Sequence, residues 1–366
     1  MALTDSRVPI EKLGARAFTI PTDKPESDGT LEWNSTTLVL ASVSAGGKTG
    51  IGYSYSDASI VRLIETKLAS VVEGNDALGI EALWHAMQVK LRNLGHEGLA
   101  AMAIAAVDTA LWDLKGKLLG LPVADLLGKA RTSIPTYGSG GFTSYNDEQL
   151  REQLAGWAAD GHFAVKMKVG RDPAADPRRM TVAREAIGSG TQLFIDANGA
   201  LSRKQALAFA EEAKSFDVRW FEEPVSSNDI EGLRLMRDRG PTGMAITTGE
   251  YGFGLWTFRD LLKASAVDIL QADATRCAGI TGFMKVAALA EAHEVPLSSH
   301  CAPALHLHPC LAAGPAVHME WFHDHVRIEP MLFDGAPVPR QGEVSTNGEP
   351  GLGLVLKEAD AAEFAD

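Results

Sequence analysis

From Ser133 onward the chain repeats one pattern eight times, a short apolar run of strand length separated from the next by a stretch with helical periodicity. The runs are Ile134 to Ser139, Phe163 to Lys168, Gln192 to Asp196, Val218 to Glu222, Met244 to Thr248, Val267 to Ala272, Val295 to Ser299 and Ala316 to Glu320. Strands joined through helices run parallel, because a helical crossover brings the chain back to start the next strand in the same direction. Eight such units predict closure into a β/α barrel rather than an open doubly wound sheet. No GxGxxG follows any of these strands, so the usual dinucleotide-binding signature is missing.

In such a barrel the C-terminal ends of the strands surround one mouth, where barrel enzymes keep their active sites. Read in order, these ends carry Lys166 and Lys168, then Asp196, Glu222, Glu250, Asp273, His300 and Glu320. After Lys168 the steps run from 20 to 28 residues, each about one β/α unit. Lys166 and Lys168 lie two apart on a strand and so share a face, and mutual repulsion would lower the pKa of at least one toward the range of a general base. Two solvated lysines on an edge strand are the blander reading. Asp196, Glu222 and Glu250 offer three hard oxygen donors without Cys or His, a set suited to Mg²⁺, although salt-bridged or helix-capping acids would look the same. Glu223, next to Glu222, points the other way if the strand continues. Asp273 and His300 end neighbouring strands, so the carboxylate could orient one ring nitrogen and leave the other facing the mouth; a structural histidine is the alternative.

The first quarter differs. Strand-like stretches at Ala17 to Ile20 and Thr37 to Ser44, with a turn at Ala45 to Lys48, suggest a small meander, and helical periodicity follows from Ser59 to Leu127. This predicts an α+β unit over residues 1–128, a barrel over 129–328, and a Pro- and Gly-rich segment, 329–366, that returns to the first unit. Pro21 to Asn34, with Leu31 and Trp33 as its main apolar members, reads as a surface loop or as a lid over an active site. A total of 366 residues suits a barrel plus one further domain, and 45% apolar residues suffice for a large core. The net charge of -13 argues against nucleic acid or an anionic membrane as partner. Met1 to Ile10 lacks the apolar core of a signal peptide, and Cys277, Cys301 and Cys310 show no CxxC spacing, so reduced thiols and a cytoplasmic address are expected.

Together, Lys-x-Lys on the second strand, Asp-Ala-Asn-Gly, Trp-Phe-Glu-Glu-Pro, Gly-Glu, Gln-Ala-Asp and Ser-Ser-His resemble the mandelate racemase subgroup of the enolase superfamily. Residues 106 to 117, Ala-Val-Asp-Thr-Ala-Leu-Trp-Asp-Leu-Lys-Gly-Lys, are similar to the helix that precedes its barrel. The resemblance implies a (β/α)₇β modified TIM barrel with an α+β N-terminal capping domain whose loops, Pro21 to Asn34 among them, close the site. It implies Asp196, Glu222 and Glu250 as Mg²⁺ ligands, Lys166 as a base modulated by Lys168, and His300 with Asp273 as the acid/base pair on the opposite face of the substrate α-carbon. Glu320 would hold the substrate carboxylate and stabilise the enediolate, and Asn198 would be a polar residue on the substrate side. Where the family often has Lys and two glycines, this chain has Ala274-Thr275-Arg276-Cys277-Ala278-Gly279; Arg276 would contact a substrate carboxylate or diol, or form a structural ion pair. Trp33 on the closing segment is a further substrate contact, and His306, His308, His323 and His325 are expected at the pocket rim or packed against the barrel.

The expected activity is removal of the proton α to a carboxylate, followed by loss of a β-hydroxyl, as in an acid-sugar dehydratase. Cycloisomerisation of a sugar lactone or anhydro-sugar acid, or racemisation of a 2-hydroxy acid, starts from the same step. The expected partner is a small sugar acid, bound by a homo-oligomer. A barrel metallohydrolase would need His-x-His after the first strand, where this chain has Tyr137-Gly-Ser-Gly-Gly. A barrel serving only for binding would not need every one of these positions.

Overall fold

The structure is a computed structural model and describes residues 7–366; the first six residues of the expected leader-free N-terminus lie outside it. Three antiparallel strands open the chain: β1 (Lys12–Ser27), β2 (Glu32–Ala45) and β3 (Lys48–Tyr55). They pack on the helix Leu99–Leu119, so closely that a Cβ at Gly52 would lie 2.3 Å from the Ala110 nitrogen. No side chain larger than hydrogen fits there. Ile104, Val107, Leu111 and Leu114 of that helix join Val39, Ala41 and Val43 of β2 in one core. Each such aliphatic burial contributes roughly 1.5–3 kcal/mol.

Eight parallel strands follow: β4 (Ile134–Gly140), β5 (Ala164–Lys168), β6 (Gln192–Asp196), β7 (Val218–Glu222), β8 (Ala245–Thr248), β9 (Ile269–Ala272), β10 (Leu297–Ser299) and β11 (Ala316–Phe322). Each pairs with its successor, and β11 pairs with β4 to close the barrel. Seven helices connect them on the outside, giving a (β/α)₇β modified TIM barrel with an α+β capping domain. The pleat explains the sequence pattern. Val165 and Met167 of β5 face the helices, whereas Ala164 faces inward with Tyr137, Phe194 and Trp220, forming an apolar layer inside the barrel. Two residues further along the same strands come Ser139, Lys166, Asp196 and Glu222, so a layer of polar and charged side chains lies directly above an aromatic one.

The tail crosses back over both units. Leu352 N donates to Asp113 Oδ1 at 2.7 Å, Val123 N donates to the Gly351 carbonyl, and Arg16 meets Glu358 at 2.8 Å. Among the described residues no helix is long and apolar enough to cross a membrane, and the three cysteines are buried and unpaired.

One expectation needs correction. Pro21 to Asn34 is not a surface loop but the far end of the β1–β2 hairpin, which turns at Asp28 to Leu31 and covers the barrel mouth as a strand-paired element. The ladder is interrupted between the pairs Pro21–Ser35 and Glu26–Trp33, so residues 22–25 bulge opposite Asn34 alone. Pro21, Pro25 and the acidic residues weakened the strand signal there, while the pairing beyond the bulge depends on contacts with the barrel.

Candidate active site at the barrel mouth

The inward residues at the strand ends converge. Asp196, Glu222 and Glu250 each offer a carboxylate oxygen, all within 4.8 Å of one another, and all three side chains are buried. Lys166 Nζ lies 2.7 Å from Glu222 Oε2 and 2.7 Å from Glu320 Oε1, and Lys168 Nζ pairs with Asp196. On the other side His300 Nε2 is 3.2 Å from Glu250 Oε2, while its Nδ1 is 2.9 Å from Asp273 Oδ2. Asp273 is held in turn by the amide and hydroxyl of Thr275, both at 2.7 Å. Ser139 Oγ donates to Glu320 Oε1 at 2.6 Å and Cys301 N donates to Oε2 at 2.7 Å, which fixes that carboxylate between the two basic groups.

Burial and opposite charge compete at every group. Burial and the neighbouring Asp196 push Glu222 up to about 7. Burial also opposes charge on Glu250 and Asp273, but the adjacent His300 outweighs it, leaving Glu250 well below the usual carboxylate range and Asp273 at about 2. Around His300, burial is outweighed by Cys301, Glu250, Glu320 and the Asp273 hydrogen bond, and its pKa rises. Mutual repulsion of the lysines was expected to depress their pKa values; here they are raised. Burial does disfavour the ammonium forms, but Glu222 and Glu320 hold Lys166 protonated and Asp196 holds Lys168 protonated. The sequence shows the two lysines as neighbours and hides the carboxylates that strands further round the barrel aim at them.

The donor set suits a hard divalent cation. Three carboxylates crowd together without a sulfur or nitrogen donor among them, and Glu222 Oε1 is buried with no hydrogen-bond partner. Glu223, beside Glu222, takes a left-handed backbone conformation (φ 39°) and accepts from Thr248 Oγ1 at 2.9 Å. Burial and the nearby Glu250 push its pKa well up.

A cavity of about 390 Å³ opens above this layer and is closed on its far side by the hairpin. Trp33, Asn198 and Arg276 all line it, with Lys168, Glu250, Asp273 and His300. Arg276 Nη1 lies 3.2 Å from Glu250 Oε1, so within the cavity wall it forms an ion pair. Lys166 and Glu320 lie beneath, nearly inaccessible. The hairpin tip is seated firmly: Thr143 N donates to the Ser27 carbonyl, and a Cβ at Gly29 would be 2.4 Å from the Ala197 carbonyl oxygen. A cavity of about 430 Å³ between the tail and the helix Pro303–Ala312 lies by the N-terminal end of β4, away from these groups.

The four histidines separate. His325 lines the cavity, its ring 3.4 Å from that of Tyr55. His306 accepts from Ala274 N at 2.7 Å, and His308 accepts from Ala124 N, so both serve packing. His323 meets Asp23 at 3.2 Å on the hairpin. Sequence reading missed Asp28, Tyr55, Ser56 and Tyr251, which also line the cavity. No local motif marks them: Asp28, Tyr55 and Ser56 reach the cavity only where the capping domain docks, and Tyr251 follows Glu250 in the loop after β8.

The arrangement defines a barrel that can hold a metal between two acid/base groups. Residues 149–360 match the family model described as enolase C-terminal domain-like, and residues 21–128 match the mandelate racemase/muconate lactonizing enzyme N-terminal domain. The chain belongs to the mandelate racemase/muconate lactonizing enzyme subgroup of the enolase superfamily. It is similar to 3,6-anhydro-alpha-L-galactonate cycloisomerase of Streptomyces coelicolor, 34% identical over 319 residues that cover 85% of this chain and 86% of that protein. It is also similar to L-talarate/galactarate dehydratase of Salmonella typhimurium, 33% identical over 331 residues, 88% of this chain and 81% of the other. The structure of that dehydratase with Mg and L-lyxarohydroxamate has a TM-score of 0.90 to this chain, covering 100% of this chain and 95% of that one at 29% identity. A mandelate racemase/muconate lactonizing enzyme-like protein from Rubrobacter xylanophilus is 53% identical, with a TM-score of 0.96 over 98% of this chain and 100% of its own.

Proposed function

We propose that this chain is a Mg²⁺-dependent acid-sugar dehydratase, with Asp196, Glu222 and Glu250 as the metal ligands. The observation that carries the reading is the placement of Lys166 and His300 on either side of one cluster of three buried carboxylates. A bound Mg²⁺ supplies positive charge where the substrate carboxylate becomes more negative on losing its α-proton. Lys166, as free amine, accepts that proton at Nζ; Glu222 and Glu320, which favour its ammonium form, are the groups whose excess charge a cation offsets. His300, charged and oriented by Asp273, gives a proton from Nε2 to the departing β-hydroxyl, which leaves as water. The C–H bond and the β C–O bond break, a C=C bond forms, and tautomerisation gives a 2-keto-3-deoxy acid without any redox partner. Glu320, held by Ser139, steadies Lys166 and would donate to the reacting carboxylate only on taking up a proton itself, and Lys168 lies beside Asp196.

The similarity to a cycloisomerase supports a second reading, in which the same proton abstraction is followed by ring opening of an anhydro-sugar acid or lactone. Purified protein with Mg²⁺ is to be incubated in D₂O with a panel of sugar acids, following α-hydrogen exchange and keto-acid release by NMR. Exchange with release of a keto acid one water lighter than the substrate supports the dehydratase. Exchange with an isomeric product of equal mass supports the cycloisomerase. Both fail if no acid exchanges, or if exchange survives unchanged in Lys166→Ala and His300→Asn.

A further inference from the structure

The two sides of the cavity differ in charge. Every cationic or histidine side chain among the described lining residues belongs to the barrel side or to its rim: Lys168, Arg276, His300 and His325. None is spare. Lys168 pairs with Asp196, and Arg276 is engaged by the Glu250 side chain and carbonyl, both at 3.2 Å, with Asp273 at 3.7 Å. His300 is bound to Asp273, and His325 Nδ1 accepts from Ala302 N at 3.0 Å, which requires an unprotonated nitrogen there. Burial lowers the His325 pKa further.

The capping-domain side presents Trp33, Ser35, Thr36, Thr37, Tyr55 and Ser56, which are hydroxyls and aromatic rings. Behind them stand Glu26, which burial holds in its acid form, and Asp324, which Arg327 Nη2 meets at 2.6 Å. Trp33 Nε1 donates to Glu26 at 2.8 Å, Thr36 Oγ1 donates to Asp324, and Asp28 lines the cavity itself, its Oδ1 accepting from Thr30 N and Leu31 N. Two donors that face the far end of a ligand are thus already committed to protein acids. What remains there are neutral hydroxyls, which donate as well as accept, among them that of Tyr55, which is buried without a partner.

We infer that the substrate carries a single carboxylate, the one at the reacting end, and a neutral hydroxyl-bearing tail: a monocarboxylic sugar acid or its anhydro form, and not a dicarboxylic one. A second carboxylate at the far end would sit against Asp28 with no cation on the capping side to meet it, and an unpaired buried charge is costly. A polyol tail donates its hydroxyl protons to the same acceptors. The inference rests on the proposed acid-sugar chemistry and selects within it, since the two curated relatives divide on this point: galactonate has one carboxylate and galactarate two.

The test pairs acids of one configuration, galactonate with galactarate and gluconate with glucarate, and adds 3,6-anhydrogalactonate, all with the Mg²⁺-loaded protein. Turnover is read as kcat/KM for α-hydrogen exchange, and binding separately by calorimetry. The best monoacid is expected to exceed every diacid at least about 100-fold in kcat/KM and to bind more tightly. A diacid that equals or exceeds the best monoacid overturns the inference. If no acid exchanges, the proposed reaction fails, and calorimetry still decides this point: tighter monoacid binding upholds it, while equal or tighter diacid binding overturns it. Ser35 is exposed on the hairpin, so Ser35→Arg adds a cation on the far side with little risk to folding. It is expected to shift the diacid-to-monoacid ratio at least about tenfold toward diacids; an unchanged ratio removes the capping side as the source of selection.

Discussion

The barrel floor and the β1–β2 hairpin face each other across one cavity and are built on opposite terms. On the floor, seven strand ends place charged groups in contact at 2.5 to 3.2 Å, each compensated by a neighbour and all held by the closed barrel. The hairpin offers neutral side chains on an interrupted ladder, anchored at its tip and through Thr36 to Asp324. The floor is dense in charge, suited to moving protons, whereas the hairpin supplies hydroxyls and an aromatic ring to the far wall of the cavity. Chemistry and selection are thus divided between two domains, and four perturbations probe that division.

Metal removal should produce the largest effect. Chelation is expected to abolish turnover completely, with recovery on adding Mg²⁺, because without a cation Asp196, Glu222 and Glu250 face one another with only the two lysines, His300 and Arg276 to offset them. The same addition should raise the melting temperature, as a ligand at a hundredfold excess over its Kd stabilises the folded state by about 2.7 kcal/mol. Equal melting curves with EDTA and with Mg²⁺ would remove the metal from the floor.

Next come the bases. Lys166→Ala is expected to lower kcat by roughly 10³-fold and His300→Asn by roughly 10²- to 10⁴-fold, with smaller changes in KM. Lys166→Ala should also destabilise the apo protein by about 3–5 kcal/mol, since Glu222 and Glu320 lose their shared counter-charge in a buried layer. Mg²⁺ should restore part of that loss. A variant as stable as the parent in EDTA would show that the floor charges are screened some other way.

Legibility divides along the same line. The floor could be read from sequence because one β/α unit spans a nearly fixed length and the pleat turns every second residue inward, so Lys166, Asp196, Glu222 and His300 fall at computable positions. What stayed hidden was the state of those groups, since the pairing of Lys166 with both Glu222 and Glu320 depends on the closure of β11 on β4. On the hairpin, Trp33 was visible as an isolated large aromatic in polar sequence. Tyr55 and Ser56 were not, because they reach the cavity only through docking of the cap on the barrel. That docking includes the bond from Ser54 Oγ to the Thr275 carbonyl, made between residues 221 apart in sequence.

Trp33 gives the third perturbation and a smaller effect. Its ring packs edge-on against Phe142, with centroids 5.7 Å apart, and its Nε1 bonds Glu26, so it ties the hairpin to the loop after β4 while lining the cavity. Trp33→Ala is expected to raise KM by roughly tenfold and to lower kcat by less, as loosening a closing element affects binding and closure together. Its melting temperature should stay near that of the parent. A larger fall in kcat than rise in KM would place Trp33 with the floor and undo the division.

The smallest effect concerns how tightly the hairpin closes with pH. Glu26 is buried under Trp33, and burial, with Asp324 and Asp23 nearby and Arg327 only partly opposing, pushes its pKa up to about 8. In an opened hairpin the group returns to about 4.3. Between these values the closed form holds a proton that the open form releases, so closure is strongest below about pH 4.3, weakens as pH rises, and loses this contribution fully above about pH 8. Glu26→Gln keeps an acceptor for Trp33 Nε1 and removes the titration. Hydrogen-exchange protection of amides in Ile20 to Trp33, corrected for intrinsic exchange, is expected to fall at least about tenfold from pH 5 to pH 8 in the parent and to stay level in the variant. Protection on β5 to β7 should show no such difference between parent and variant, because Glu26 reaches only the hairpin. A pH trend shared by parent and variant would assign the hairpin's closure to other groups, and one that extended into β5 to β7 would join the two regions into a single cooperative unit.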